Sequence, residues 1–174
     1  MHKLIIFSLL CLLSTIAQAA TPLSDISVIP EVSRQSAPDF NLENLRGGDT
    51  GLADYNGKVV LLNFWATWCM PCRAEMPSME ALSKKYQEQG FVVVGISNDE
   101  GSKKRVETFT KILDLSFPIL LDPEGEVNDL YKVSNMPTSF LIDRNGKIIS
   151  RIVGSDDWMS QDAKRLVEGL LSEK

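Results

Sequence analysis

The chain has 174 residues, 44% hydrophobic and 24% charged, with 18 Lys and Arg against 23 Asp and Glu for a net charge of −5. Such a composition belongs to an ordinary soluble globular protein, and the length suits one domain with its own core. Basic residues are scattered without a stripe, which argues against nucleic acid as a partner.

The first segment reads as a targeting signal. Lys3 gives a short positive region, Leu4 to Leu13 is apolar apart from Ser8, and Ala17-Gln18-Ala19 is an A-x-A cleavage site. The expectation is a signal peptide over 1–19, removed after Ala19, and an exported, periplasmic protein. An uncleaved N-terminal membrane anchor is the alternative, but the apolar stretch is short for a span. Cleavage would leave 17 basic against 23 acidic residues and remove His2, the only histidine, and Cys11, one of three cysteines.

Residues 20–37 carry Pro22, Pro30 and several Ser without periodicity, and read as a linker or loosely packed arm before a domain over 38–174. Phe40, Leu42, Leu45 and Leu52 around Gly47-Gly48 suggest two short strands and a turn. Asn56-Gly57 marks a second turn before a strand at 58–65 that is apolar on both faces, as a central strand in a covered sheet would be. A helix is expected from Pro71 to Gln89, ending at Gly90, with Pro77 kinking it and Met76, Met79, Leu82 and Tyr86 on its core face. A strand at 91–96, a helix over 102–113 and a strand at 117–121 follow. The rest reads as a short helix over 126–131, a hairpin of strands 138–142 and 147–153 around Arg144-Asn145-Gly146, and a terminal helix through Ala163, Leu166, Val167 and Leu170. Together these make an α/β sandwich, a central mixed sheet flanked by helices.

The strand at 58–65 leads into Cys69-Met70-Pro71-Cys72, which delivers two thiols to a helix start. Zinc would need about four ligands, and the mature chain offers no further Cys or His, so no metal is expected. A structural disulfide closing so short a loop would add little stability. A redox dithiol fits the strand, the helix terminus and the exported context together. On this reading Cys69, exposed at the helix edge, is the nucleophile, and Cys72, one turn inward and shielded, is the resolving thiol. Trp65 is expected in or beside the core, and Trp68 on the surface around the thiols. Tyr86 and Trp158 receive no functional role.

The run Phe64-Trp65-Ala66-Thr67-Trp68-Cys69-Met70-Pro71-Cys72, with Met136-Pro137-Thr138 before a later strand, resembles the thioredoxin superfamily. Asp54-Tyr55-Asn56-Gly57-Lys58-Val59-Val60 and the extra strand–helix segment at about 114–131 resemble its TlpA/ResA/CcmG branch of exported or membrane-anchored thiol–disulfide reductases, several serving cytochrome c maturation. The resemblance covers about 38–172. It implies a thioredoxin-like three-layer sandwich with an N-terminal hairpin, a redox-active Cys69–Cys72 disulfide and a cis Met136–Pro137 bond facing it. Trp68, Met70, Pro71, Met136 and Pro137 would then form the substrate-facing surface. The buried acid of thioredoxin falls here on Asn63, which cannot carry a proton. ResA-like members instead have an acid three residues after the second cysteine, matching Glu75. One turn from Cys72, that carboxylate could disfavour the thiolate and accept its proton.

The resemblance further implies disulfide-bearing client proteins, apocytochrome c among the candidates, a membrane electron donor of the DsbD/CcdA type, a monomer, and no cofactor beyond the disulfide. Three rivals share much of this sequence logic: a disulfide-forming oxidase, a peroxidase of the peroxiredoxin type, and a redox-inert client-binding module. Met70-Pro71 lacks the histidine that often strengthens oxidases, and the Trp-Cys-x-Pro-Cys setting argues against the peroxidase.

Overall fold

The computed structural model describes residues 33–173. The expected signal peptide and most of the arm lie outside the described residues. A hairpin of β1 (Asn41–Asn44) and β2 (Asp49–Gly51) turns through Gly47 and Gly48, both at positive φ, which only glycine adopts without steric cost. After a 3₁₀ turn at Leu52–Tyr55 come β3 (Val59–Trp65) and α1 (Met70–Tyr86). Next are β4 (Phe91–Ser97), α2 (Lys103–Ile112), β5 (Ile119–Leu121) and α3 (Glu126–Leu130). The chain closes with β6 (Thr138–Ile142), β7 (Ile148–Val153) and α4 (Gln161–Ser172).

The expected helix at 71–89 divides into α1 and a 3₁₀ turn at Gln87–Gln89 that ends on left-handed Gly90. Pro77 lies on its exposed side, and the helix runs through it. The strand expected from Phe117 begins only at Ile119, because Pro118 has no N–H for a ladder. The arm joins the domain before residue 38. Gln35 O accepts from Ile148 N at 2.9 Å and Ala37 N donates to Gly146 O at 2.8 Å.

The seven strands form one mixed sheet in the order β2-β1-β5-β4-β3-β6-β7, with β3, β4 and β5 parallel and the remaining pairs antiparallel. Every residue of β3 is buried. Its alternation sends Val59, Leu61 and Trp65 into a core with α1, α2 and α4, and Val60, Leu62 and Phe64 into a second core with α3 and the 3₁₀ turn. Each large side chain removed from water there contributes on the order of 2 kcal/mol. A strand anchored on both faces holds its C-terminal end fixed, and the two cysteines follow from that end.

Candidate functional site

Four residues link β3 to α1, and their backbone is held from β4. Asp99, buried just beyond β4, accepts from Thr67 N at 2.8 Å, Thr67 Oγ1 at 2.5 Å and Ser97 Oγ at 2.9 Å. Cys69 N donates to Ala66 O at 3.1 Å, which closes the turn. Cys69 is the N-cap of α1 with extended backbone, and its sulfur accepts from Cys72 N at 3.2 Å. Met70 and Pro71 fill the first two helical positions, where a proline leaves no donor unpaired. The sulfur of Cys69 thus meets a backbone N–H at the positive end of the helix, a setting that favours a thiolate. Cys69 and Cys72 are joined as a disulfide, with Cα atoms 5.3 Å apart.

Sequence reasoning placed Cys69 at an exposed edge. It is instead only 5% exposed, against 0% for Cys72. As cap residue it turns its sulfur into the helix end, and Met136 packs against the same cluster. The exposed surface comes from its neighbours, Trp68 at 63% and Met70 at 68%. Trp65 is fully buried, its ring 5.2 Å from that of Phe109. Gly95 on β4 leaves room for it, since a Cβ there would stand 3.0 Å from the indole nitrogen. The Met136–Pro137 bond is cis and leads directly into β6.

Glu75, one turn after Cys72, is buried at 2% exposure. Its Oε1 accepts from Asn63 Nδ2 at 2.9 Å, and its Oε2 from Trp158 Nε1 at 3.1 Å and Asp156 N at 3.2 Å. Asn63 Nδ2 also donates to Ser139 Oγ at 2.9 Å, so the network ties α1 to the strand that follows Pro137. Burial pushes the Glu75 carboxyl up from 4.5 to about 7, opposed by the hydrogen bonds from Trp158, Asn63 and Asp156 and assisted by the Asp156 charge. Three donors do not outweigh the loss of water.

Trp158 is the residue that sequence reasoning passed over. Its indole is buried and its backbone N donates to Ser78 Oγ at 3.2 Å, which fixes the ring below α1. Asn63 did carry a signal: a lone amide within seven consecutive buried strand residues needs partners. Its Oδ1 is buried without one. Among the described residues no cluster of His, Cys, Asp and Glu is arranged to hold a metal ion.

Residues 33–151 match the family model described as AhpC/TSA family. The chain belongs to that thioredoxin-like family. It is 48% identical over 122 residues to "Thioredoxin-like protein YneN" of Bacillus subtilis, covering 70% of this chain and 71% of that protein. It is 43% identical over 135 residues to "Thiol-disulfide oxidoreductase ResA" of Geobacillus thermodenitrificans, covering 78% and 76%. Among solved structures, a putative thiol:disulfide interchange protein DsbE from Chlorobium tepidum superposes with a TM-score of 0.74 at 37% identity, covering 80% of this chain and 97% of that one. In this AhpC/TSA-family member the CxxC pair occupies the N-terminus of the first long helix, with a buried acid one turn below.

Proposed function

We propose that this thiol–disulfide oxidoreductase works as an exported reductase of disulfides in client polypeptides, with Cys69 as nucleophile and Cys72 as resolving thiol. The observation that carries the reading is the asymmetry of the pair. Cys69 caps the helix and receives a backbone N–H, whereas Cys72 is sealed with a carboxyl group below it.

In the reduced protein the Cys69 thiolate attacks one sulfur of the client disulfide, forms a mixed disulfide and releases the other client sulfur as thiolate. Cys72 loses its proton to Glu75 and attacks Cys69 Sγ, which releases the second client sulfur as thiolate and closes the Cys69–Cys72 bond. Two electrons pass to the client, and the protein leaves oxidised. A carboxyl group pushed to about 7 exists in both protonation states near neutral pH, as an acceptor and later donor of that proton must. The Asn63 amide suits both states, offering Nδ2 to a carboxylate and, turned over, Oδ1 to a carboxylic acid. Exposed Trp68, Met70 and Pro71, with half-buried Met136 and the backbone at buried Pro137, form the wall against which the client chain lies.

Several features extend this reading. No metal or organic cofactor takes part. The protein acts as a monomer in the periplasm after cleavage at Ala19, is re-reduced by a membrane donor of the DsbD/CcdA type, and serves apocytochrome c as a client. The A-x-A segment supports export, and no described helix is long and apolar enough to cross a membrane.

The reduction potential tests the direction. An ionised Glu75 disfavours a second negative charge on Cys72, which offsets the support the helix end gives a Cys69 thiolate and works against the stabilised reduced form of a strong oxidant. Equilibration with glutathione buffers should give a value near the roughly −270 mV of thioredoxin. A value near the roughly −120 mV of DsbA would reverse the assignment.

A further inference from the structure

Beside the thiols, on the β4 side of β3, lies an open groove of about 540 Å³. Thr67, Arg73, Lys104, Arg105, Phe109 and Ile112 line it. Arg73 follows Cys72 directly and Thr67 precedes Cys69 by two residues, so the groove begins where the exchange chemistry ends. Its floor is continuous with the core under the site, because the Phe109 ring stacks 5.2 Å from Trp65 and carries the Arg73 guanidinium 5.5 Å above its centroid. At the far end Ile112 is 75% exposed, the most exposed of the large hydrophobic residues among the described ones.

The charge there opposes that of the chain. The protein carries −5 overall, yet three cations and no acid line the groove. Among the described residues the ion pairs engage Lys84, Lys103 and Arg165, and none engages Arg73, Lys104 or Arg105. Lys104 and Arg105 stand in the first turn of α2, whose N-terminal dipole repels cations. Helix stability gives no reason for them, and their position adds a positive field on the same side. From this charge complementarity we infer that the groove docks an acidic, apolar-tipped segment of the polypeptide whose disulfide reacts with Cys69. Carboxylates of that segment pair with Arg73, Lys104 and Arg105, and an apolar side chain covers Phe109 and Ile112. The cis-proline loop lies on the β6 side of β3, so the segment is read across from it and selects clients by charge. The inference rests on the exchange reading above.

The test uses two peptides containing the same disulfide, one flanked by Glu and Leu, the other by Lys and Leu, with hydroxyethyl disulfide as an uncharged reference. Dithiothreitol-reduced, desalted full-length protein is mixed with each and the initial rate followed at low and at 0.5 M salt. Wild type should reduce the acidic peptide about tenfold faster than the basic one at low salt, with the preference collapsing at high salt. The double variant Lys104→Glu with Arg105→Glu should invert the preference while its rate with hydroxyethyl disulfide stays within about twofold. Glutamates suit a first helical turn, so the fold tolerates them. Lys104→Gln with Arg105→Gln should weaken the preference, leaving the part carried by Arg73, without inverting it. Equal rates for the two peptides with wild type, or an undiminished acidic preference in the glutamate variant, would overturn the inference. A wild type inert toward hydroxyethyl disulfide would contradict the exchange reading itself.

Discussion

Replacing Glu75 by Gln should change how the stability of the oxidised protein depends on pH. In the oxidised protein the cysteines do not titrate, so Glu75 is the group beneath the disulfide that does. Burial raises its native pKa from 4.5 to about 7, so the native state holds the proton more tightly than the unfolded chain. The stability this contributes is fully present below pH 4.5 and is lost as pH rises through 7. At about 1.4 kcal/mol per pH unit, the window from 4.5 to about 7 amounts to about 3 kcal/mol. Glutamine keeps the shape and the acceptor for Trp158 Nε1 and Asp156 N but carries no charge at any pH. Urea unfolding of both oxidised proteins at intervals from pH 4 to 8.5 supplies the comparison. The stability of Glu75→Gln relative to wild type should climb by about 3 kcal/mol between pH 4.5 and 8, since every other titrating group is common to both. A difference that stays flat, or falls with pH, would mean that Glu75 is an ordinary ionised carboxylate, and the proton-acceptor role would go with it.

Trp158→Phe removes one of three donors to Glu75, so the variant should lose about 1 kcal/mol more at pH 8 than at pH 5, beyond the packing cost common to both. Equal losses at the two pH values in urea unfolding would show that the indole only fills space. Asp99→Asn cannot accept all three bonds from Thr67 and Ser97, and should cost about 1–3 kcal/mol with an unchanged urea m-value. A full wild-type midpoint would remove Asp99 as the anchor of the 66–69 turn. Trp68→Ala should leave the midpoint within about 0.5 kcal/mol, because the ring is mostly in water, yet slow insulin reduction severalfold. Wild-type insulin turnover would take Trp68 off the client surface.

The strand, the turn and the capped helix were legible because each depends on near neighbours. Seven buried residues, a proline in the first turn and Gly90 at the far end are local signals. The partners of Glu75 were not, since Asp156 and Trp158 lie more than 80 residues away in a loop without periodicity. Asn63 announced a polar need inside an apolar strand, but β6 and α1 had to be docked before Ser139 and Glu75 could answer it. The exposure of Cys69 was misjudged for a related reason. The sequence locates the helix end, whereas the burial of the cap residue follows from its sulfur turning into that end and from the long-range cluster that Cys69 joins. The cationic groove likewise joins Arg73 on α1 to Lys104 and Arg105 on α2, about thirty positions apart, so scattered charges along the chain became a patch.

Mixed-disulfide trapping measures the division of labour between the two cysteines. Reduced Cys72→Ser and Cys69→Ser, each mixed with a peptide disulfide, are followed by intact-mass spectrometry. Cys72→Ser should accumulate a stable adduct on Cys69, while Cys69→Ser, left with a thiol sealed beneath the helix end, should form one far more slowly. Adduct formation at equal rates by the two variants, or none on Cys69, would contradict that division of labour.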